Sequence, residues 1–322
     1  MSSQLLDLSG VTVEYSVGTG TRKAVDDASL SIPSRGYSLG IVGESGSGKT
    51  TLGLSILNLI ELPGRISGGR IEFMGKDVLS MNKDQLRKYR WQEVAMVYQS
   101  AMNALNPVKN ITDHIVEVLR AHTDTPKSDA QSVAVKLLSD VGIKSERAGA
   151  YSHELSGGMR QRAVIAMALA LAPKLLIADE PTSALDVVVQ RQIIALLKSK
   201  VEESGLSLIF ITHEIALLGG LVDHVAVMFA GEVVETGPMQ KVLFEPLHPY
   251  TQMLLGSLLS LDSTKSSLHA FSLRARDSTL LPQVGCKYAN RCKYAFERCK
   301  VERPLLKQTE QGRLVACHKY NS

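Results

Sequence analysis

The run GESGSGKT at residues 43–50 sets three glycines, a lysine and a threonine at the spacing of a loop that wraps phosphate. Glycines at 43, 46 and 48 let backbone N–H groups curl inward, and a helix starting there adds its positive end. The expected contact set is therefore Gly43, Glu44, Ser45, Gly46, Ser47, Gly48, Lys49, Thr50 and Thr51. Lys49 is expected to reach the β and γ phosphates of a nucleotide. Thr50 offers a hydroxyl to Mg²⁺, a hard cation that takes a few oxygen ligands and otherwise keeps its water.

A second group of residues adds chemistry to that loop. LLIADE at 175–180 is an apolar run ending in two carboxylates. Asp179 can hold the Mg²⁺ shell, while Glu180, pointing elsewhere as the next residue along a strand, can orient and deprotonate an attacking water. His213, after LSLIFIT, can hydrogen-bond a γ-phosphate, and Gln99, after VAMVY, can touch Mg²⁺ or the water. Tyr15 ends an early strand and can stack on adenine. Taken singly, these last three read as ordinary structural residues; their order behind a phosphate loop gives them weight. LSGGMRQR at 155–162 is different: Ser156, Gly157 and Gly158 form a turn that opens a helix and again presents N–H groups, a hydroxyl and a positive dipole end. A second phosphate-seeking turn has no job inside one phosphate-loop fold and implies a partner.

The elements that must position these groups can be read from the pattern. LLDLSGVTVEY and ASLSI are β-rich runs around a Gly/Thr turn at 18–21, read as an antiparallel subsheet. SLGIVG is a buried strand feeding the loop, and TTLGLSILNLI has helical spacing. From about 100 to 158 the pattern is helical, with DHIVEVLRA and DAQSVAVKLLSDVG amphipathic, and reads as an inserted subdomain. Strand and helix then alternate: KLLIAD, the helix VVVQRQIIALLKSKVEES, LSLIFIT, the helix EIALLGGLV and HVAVMF. Such alternation makes a mostly parallel sheet flanked by helices, an α/β fold. GEVVETGP continues as a hairpin, and residues 240–261 read as one closing helix. The expected organisation is an ATPase-like domain over 1–261, a Ser/Thr/Arg linker over 262–283 and a small cysteine-containing extension over 284–322.

Composition narrows the classes. The 322 residues suffice for one large domain with an appendage, and the net charge of +4 comes from interspersed Lys and Arg, so no nucleic-acid footprint is indicated. The start MSSQLLDLSG lacks a basic segment followed by an apolar run, and the apolar stretch at 163–178 is broken by Pro173 and Lys174. Neither a signal peptide nor a membrane span is expected. Cys286, Cys292, Cys299 and Cys317 are the four cysteines, all in the last 40 residues, which suggests a metal or cluster more than disulfides in a cytosolic protein.

With every motif in order over about residues 5–260, the chain resembles the ATPase subunits of ABC transporters. GESGSGKT corresponds to the Walker A loop, Gln99 to the Q-loop, LSGGMRQR to the signature, LLIADE to Walker B, SALD ending in Asp186 to the D-loop, and His213 to the switch histidine. The resemblance implies the ABC ATPase fold with its antiparallel β and inserted helical subdomains. It implies ATP and Mg²⁺ as ligands, hydrolysis with Glu180 as base, and two ATPs sandwiched between two such subunits, with Ser156 acting on the partner's nucleotide. EPLHPYTQMLL at 245–255, together with the cysteines and VACH at 315–318, resembles the carboxy-terminal extension of oligopeptide/dipeptide importer ATPases, whose relatives also import metal chelates and oligosaccharides. Expected partners are then a second ATPase subunit, which the resemblance makes a related but different chain while the intact motifs permit a homodimer, two membrane permeases and, indirectly, an extracytoplasmic solute-binding protein, with the chain peripheral on the cytoplasmic face of the membrane.

The cysteines are separated by five, six and seventeen residues, unlike the paired CxxC of zinc ribbons. Four thiolates at irregular spacing suit a [4Fe–4S] cluster, which presents four separated iron corners; Zn²⁺ and no metal are the alternatives, and His318 is a weaker substitute ligand. The rival reading of the whole is a soluble ABC ATPase acting on nucleic acid or ribosomes, with the cysteines as a zinc element. Sparse aromatics, 5% of residues, and the single cassette argue against it.

Overall fold

The computed structural model describes residues 4–18, 20–99, 105–183, 185–259, 284–309 and 312–320. In chain order these carry strands β1 (Leu6–Val17), β2 (Gly20–Ile32) and β3 (Ser38–Val42), helix α1 (Lys49–Ile56), strands β4 (Gly64–Phe73) and β5 (Lys76–Asp77), helix α2 (Lys83–Lys88) and strand β6 (Val94–Val97). Helices α3 (Ile111–His122), α4 (Lys127–Asp140) and α5 (Gly157–Ala168) follow, then β7 (Leu175–Asp179), α6 (Val187–Ser204) and β8 (Ser207–Thr212). Next come β9 (His224–Phe229), β10 (Glu232–Pro238), α7 (Met239–Phe244) and α8 (Pro249–Leu259), and finally α9 (Glu297–Val301), β11 (Lys307–Gln308) and β12 (Leu314–Val315). The expected linker over 262–283 lies outside the described residues, as do 100–104 at the start of the expected helical insertion.

Contacts divide the chain into two compact units, one containing Asp7–Ser31, Leu39–Ile71 and the chain from Thr212 onward, the other built on Glu72–Ile211. In the first unit, strands follow the order β11-β12-β10-β9-β3. β3 runs parallel to β9, from Leu39 opposite His224 to Val42 opposite Val227, and β9 and β10 form the expected antiparallel hairpin. Ile41, Val42, Val225, Ala226, Val227 and Met228 have no exposure, as a strand covered on both faces requires, and this is why the sequence there is an unbroken apolar run. The early strands β1 and β2 are neighbours, with β4 on the other side of β1. The cysteine-bearing end joins this unit rather than standing apart, because β12 pairs antiparallel with β10, Glu235 opposite Val315.

In the second unit β6, β7 and β8 are parallel neighbours, and Leu175, Leu176, Ile177 and Ala178 are fully buried. Helix α3 buries Ile111, Ile115, Val116 and Leu119, an i, i+4 stripe, and α4 buries Ala130, Ala134 and Leu138. Asn110 caps α3 by accepting from the Asp113 N–H at 2.8 Å. Helix α6 has the bounds read from the sequence, closed by Gly205 in the left-handed region.

Two expectations need correction. The segment 214–222 is not an α-helix: it makes a 3₁₀ turn over Ile215–Leu218 and stops at Gly219-Gly220, where Gly220 has φ +77°. Residues 240–261 hold two helices, not one. Pro246 cannot supply an intrahelical N–H, the N–H groups of Leu247 and His248 turn to the Glu235 carboxylate at 3.0 and 2.9 Å, and Pro249 opens a fresh helix.

Candidate nucleotide site and cysteine pocket

In the first unit β3 delivers the chain at Val42 into the loop 43–48, and α1 starts at Lys49. Gly48 caps that helix at φ +98°, and a Cβ there would lie 2.2 Å from the Ala24 carbonyl oxygen, so neither the dihedral nor the space admits another residue. The Ser47 N–H donates to the Glu44 carbonyl at 3.1 Å, and the Ser47 carbonyl accepts from the Gly231 N–H at 3.0 Å. Lys49 is 5% exposed; its Nζ donates to the carbonyls of Gly43 and Glu44 at 2.8 and 2.9 Å and to Ser47 Oγ at 3.4 Å. The ammonium is thus folded over the loop that would hold phosphate. Ser45, Gly46 and Thr50 are exposed and Thr51 is half-buried. Tyr15 is half-buried with its ring against Gly64, where a Cβ would come within 2.6 Å of Tyr15 Cε1. His213 is exposed, 3.6 Å from the Glu214 carboxylate.

In the second unit β7 ends on Asp179, which has no exposure, and Glu180 takes φ +46°. That turn re-aims the Glu180 carboxylate, which accepts from Gln99 Nε2 at 2.9 Å, while its N–H donates to Ile211 at 2.9 Å. A left-handed non-glycine residue at a strand end stores strain and is typical of functional positions. The structure therefore brings together two residues, 81 positions apart, that the sequence could single out only by context. Ser156 is the N-cap of α5, accepting from the Met159 N–H at 3.3 Å, and Asp186 caps α6 by accepting from Val188 and Val189 at 3.0 Å each. A Cβ on Gly158 would lie 2.6 Å from Val189 Cγ1, so α6 approaches the signature turn closely. Arg162 of α5 donates to the Val141 carbonyl at 2.9 Å and to Gln192 Oε1 at 2.7 Å, tying that helix to the end of α4 and to α6.

Cys286, Cys292, Cys299 and Cys317 are free thiols lining one pocket with Tyr288 and His318. Burial pushes the Cys286 thiol up to about 12 and raises Cys292 and Cys317 as well, so the pocket favours neutral thiols unless a cation enters it. Among the described residues no group of three or more His, Cys, Asp or Glu is gathered to hold a metal ion, so the expected cluster and its zinc alternative both go without support from this arrangement. His318 Nε2 is hydrogen-bonded to the Glu302 carbonyl at 2.8 Å.

Sequence reasoning passed over Tyr250 and Arg291. Both contact Glu44 of the phosphate loop from more than 200 positions away, Tyr250 Oη accepting from its N–H at 2.8 Å. The only signals were their places in the HPY run and beside Cys292.

Comparison with known proteins bears on the whole chain. Residues 25–183 match the ABC transporter family, and residues 234–299 match the oligopeptide/dipeptide transporter C-terminal region. The dipeptide transport ATP-binding protein DppD of Escherichia coli K12 is 40% identical, the alignment covering 98% of this chain and 96% of that protein. The oligopeptide transport ATP-binding protein OppD of the same organism is 39% identical, covering 98% and 93%. Among solved structures, the dimeric bacterial ABC transporter cassette MJ0796 superposes with a TM-score of 0.66 at 28% identity, covering 73% of this chain and 98% of that one. No described helix is long and apolar enough to cross a membrane. At 40% identity over nearly the full length of both chains, and with both family regions matched, the chain belongs to the ATP-binding subunits of the oligopeptide/dipeptide ABC transporter family.

Proposed function

We propose that this ATPase drives uptake of a peptide or peptide-like solute, working on the cytoplasmic face of the membrane against two permeases and a second ATPase subunit. The observation that carries the substrate class is the match of residues 234–299 to the oligopeptide/dipeptide C-terminal region, backed by 40% identity over nearly the full length to a dipeptide transport ATP-binding protein. The rival nucleic-acid reading gains nothing from these relatives. A solute-binding protein would deliver the peptide, and a related but different ATPase would complete the pair.

Hydrolysis needs a water aimed at the γ-phosphorus and a place for its proton. Glu180 is the proposed base: its carboxylate takes the proton as the water oxygen bonds to phosphorus and the bridging P–O bond breaks, leaving ADP and phosphate. Gln99, donating to Glu180 at 2.9 Å, orients that carboxylate and senses the γ-phosphate. Lys49 would exchange its carbonyl partners for the β and γ phosphates, with His213 adding a donor. Mg²⁺, held by Thr50, Asp179 and Gln99, would offset phosphate charge. Tyr15 is the proposed adenine platform. Ser156, Gly157 and Gly158, with Asp186 at the cap of α6, would serve the partner's ATP, so closure of two subunits gates turnover. Helices α3 and α4 are the proposed docking region for a permease.

A [4Fe–4S] cluster is the proposed occupant of the cysteine pocket, where Cys286, Cys292, Cys299 and Cys317 would hold it. Anaerobically purified protein should contain about four irons and four sulfides per chain; zinc alone would refute this part. The transport reading is tested in proteoliposomes holding the permeases and both ATPases: peptide uptake should require ATP and this chain. Uptake unaffected by its omission would refute it.

A further inference from the structure

Glu44 puts a carboxylate in a loop built to receive phosphates, and an uncompensated negative charge there would repel them. In this chain the charge is cancelled from the far end of the sequence. Arg291 Nη1 and Nη2 meet the two Glu44 carboxylate oxygens at 2.9 and 2.7 Å, a bidentate pair. Its guanidinium is in turn fixed over the rings of Phe229 and Tyr288, at 5.4 and 5.5 Å from their centroids. Tyr288 lines the cysteine pocket, and Arg291 immediately precedes Cys292.

The same segment grips the loop's other flank. Lys287 Nζ donates to Asp26 at 2.8 Å and to the Ala230 carbonyl at 2.9 Å, and Arg303 Nε pairs with Glu232 at 2.8 Å. Asp26 and Gly231 are hydrogen-bonded to each other at 2.9 Å, and Gly231 donates to the Ser47 carbonyl at 3.0 Å. Residues 287–303 thus hold the phosphate loop directly at Glu44 and, through Asp26 and Gly231, at Ser47.

We propose that Arg291 is a positioning residue for nucleotide binding: it neutralises and holds Glu44, so that the cysteine-bearing extension sets the affinity of the phosphate loop. Nothing in this depends on what the cysteine pocket holds; it rests on the reading of residues 43–50 as the nucleotide loop. Binding at that loop and the state of the extension are then thermodynamically linked, each altering the other by the same factor.

The test is a cycle on the full chain, read as the Kd of a fluorescent, non-hydrolysable ATP analogue with Mg²⁺. Arg291→Gln leaves the Glu44 carboxylate bare and should weaken binding about tenfold, in the range of coupled charge pairs. Glu44→Gln alone removes the repelling charge and leaves the Arg291 guanidinium beside the loop, so it should shift Kd toward tighter binding. The double variant, with neither charge, should bind to within about threefold of wild type, recovering most of what Arg291→Gln lost. A purely structural contact predicts the reverse, a double variant at least as weak as the worse single one, and that result overturns the proposal. So does Arg291→Gln that melts lower yet binds with wild-type affinity. Wild-type protein that fails to bind the analogue would sink the nucleotide-loop reading itself; binding by wild type with no recovery in the double variant sinks only the role of Arg291.

Discussion

Gly48 offers a quantitative check on how the phosphate loop is built, because Gly46 supplies a matched control. Both have positive φ, +98° and +78°, so alanine at either costs backbone strain of about 1–2 kcal/mol. They differ in space. A Cβ at Gly46 meets nothing within 4 Å, whereas at Gly48 it lies 2.2 Å from the Ala24 carbonyl oxygen and 3.4 Å from Gly231 Cα. Those are backbone atoms, and Ala24 belongs to β2, so relief requires moving a strand. Overpacking of that kind adds about 1–3 kcal/mol. Gly48→Ala should therefore destabilise the chain by about 2–5 kcal/mol and Gly46→Ala by about 1–2. Urea unfolding followed by circular dichroism gives both values, and nucleotide binding should fall much further in Gly48→Ala, since the displaced loop carries Lys49. Equal destabilisation by the two substitutions would refute the steric argument, whatever its size.

Other substitutions probe separate parts of the account. Gln99→Ala should leave ATP binding near wild type and lower turnover by about 10- to 100-fold, read by phosphate release, because it frees the Glu180 carboxylate from its 2.9 Å partner. Ser156→Ala removes a helix cap worth about 1 kcal/mol, yet its main effect should be loss of ATP-dependent dimerisation in sedimentation, with nucleotide affinity of the single chain retained. Acid should destabilise the fold in two windows. His248 is held neutral by burial, its folded value depressed to about 3 against 6.5, so stability present above pH 6.5 falls as pH drops toward 3, by about 1.4 kcal/mol per pH unit. Burial raises the Asp26 carboxyl, but hydrogen bonds from Lys287 and Lys23 and the nearby Arg303 outweigh it and hold it at about 2, so its contribution is lost only between about pH 4 and 2. A urea midpoint that is flat from pH 7 to 4.5 would refute the His248 assignment.

How much of this was legible depended on whether local pattern or distant contact decided the structure. Helix α6 was readable because its apolar spacing is long, regular and bounded by Asp186 and Gly205, and strand β7 because it is an unbroken apolar run ending on a carboxylate. The chemistry-bearing loop was readable because glycine spacing encodes backbone shape directly. The closing segment misled: its apolar content suggested one helix, but Glu235, buried and distant, captures the N–H groups of Leu247 and His248 exactly where the prolines break the pattern. Strands β11 and β12 have two residues each and carry no periodicity to detect; they exist because β10 offers an edge. The Arg291–Glu44 pair spans 247 positions, and no local signal announces it. Gln99 and Glu180 stood between these cases, suggested by motif order and joined only by the positive φ of Glu180.

Glu180→Gln decides whether this chain hydrolyses ATP with Glu180 as the base. Gln keeps the size and a hydrogen-bonding group but cannot take a proton. Nucleotide affinity should persist while steady-state phosphate release falls by about a hundredfold or more. Turnover at the wild-type rate in that variant would contradict the account.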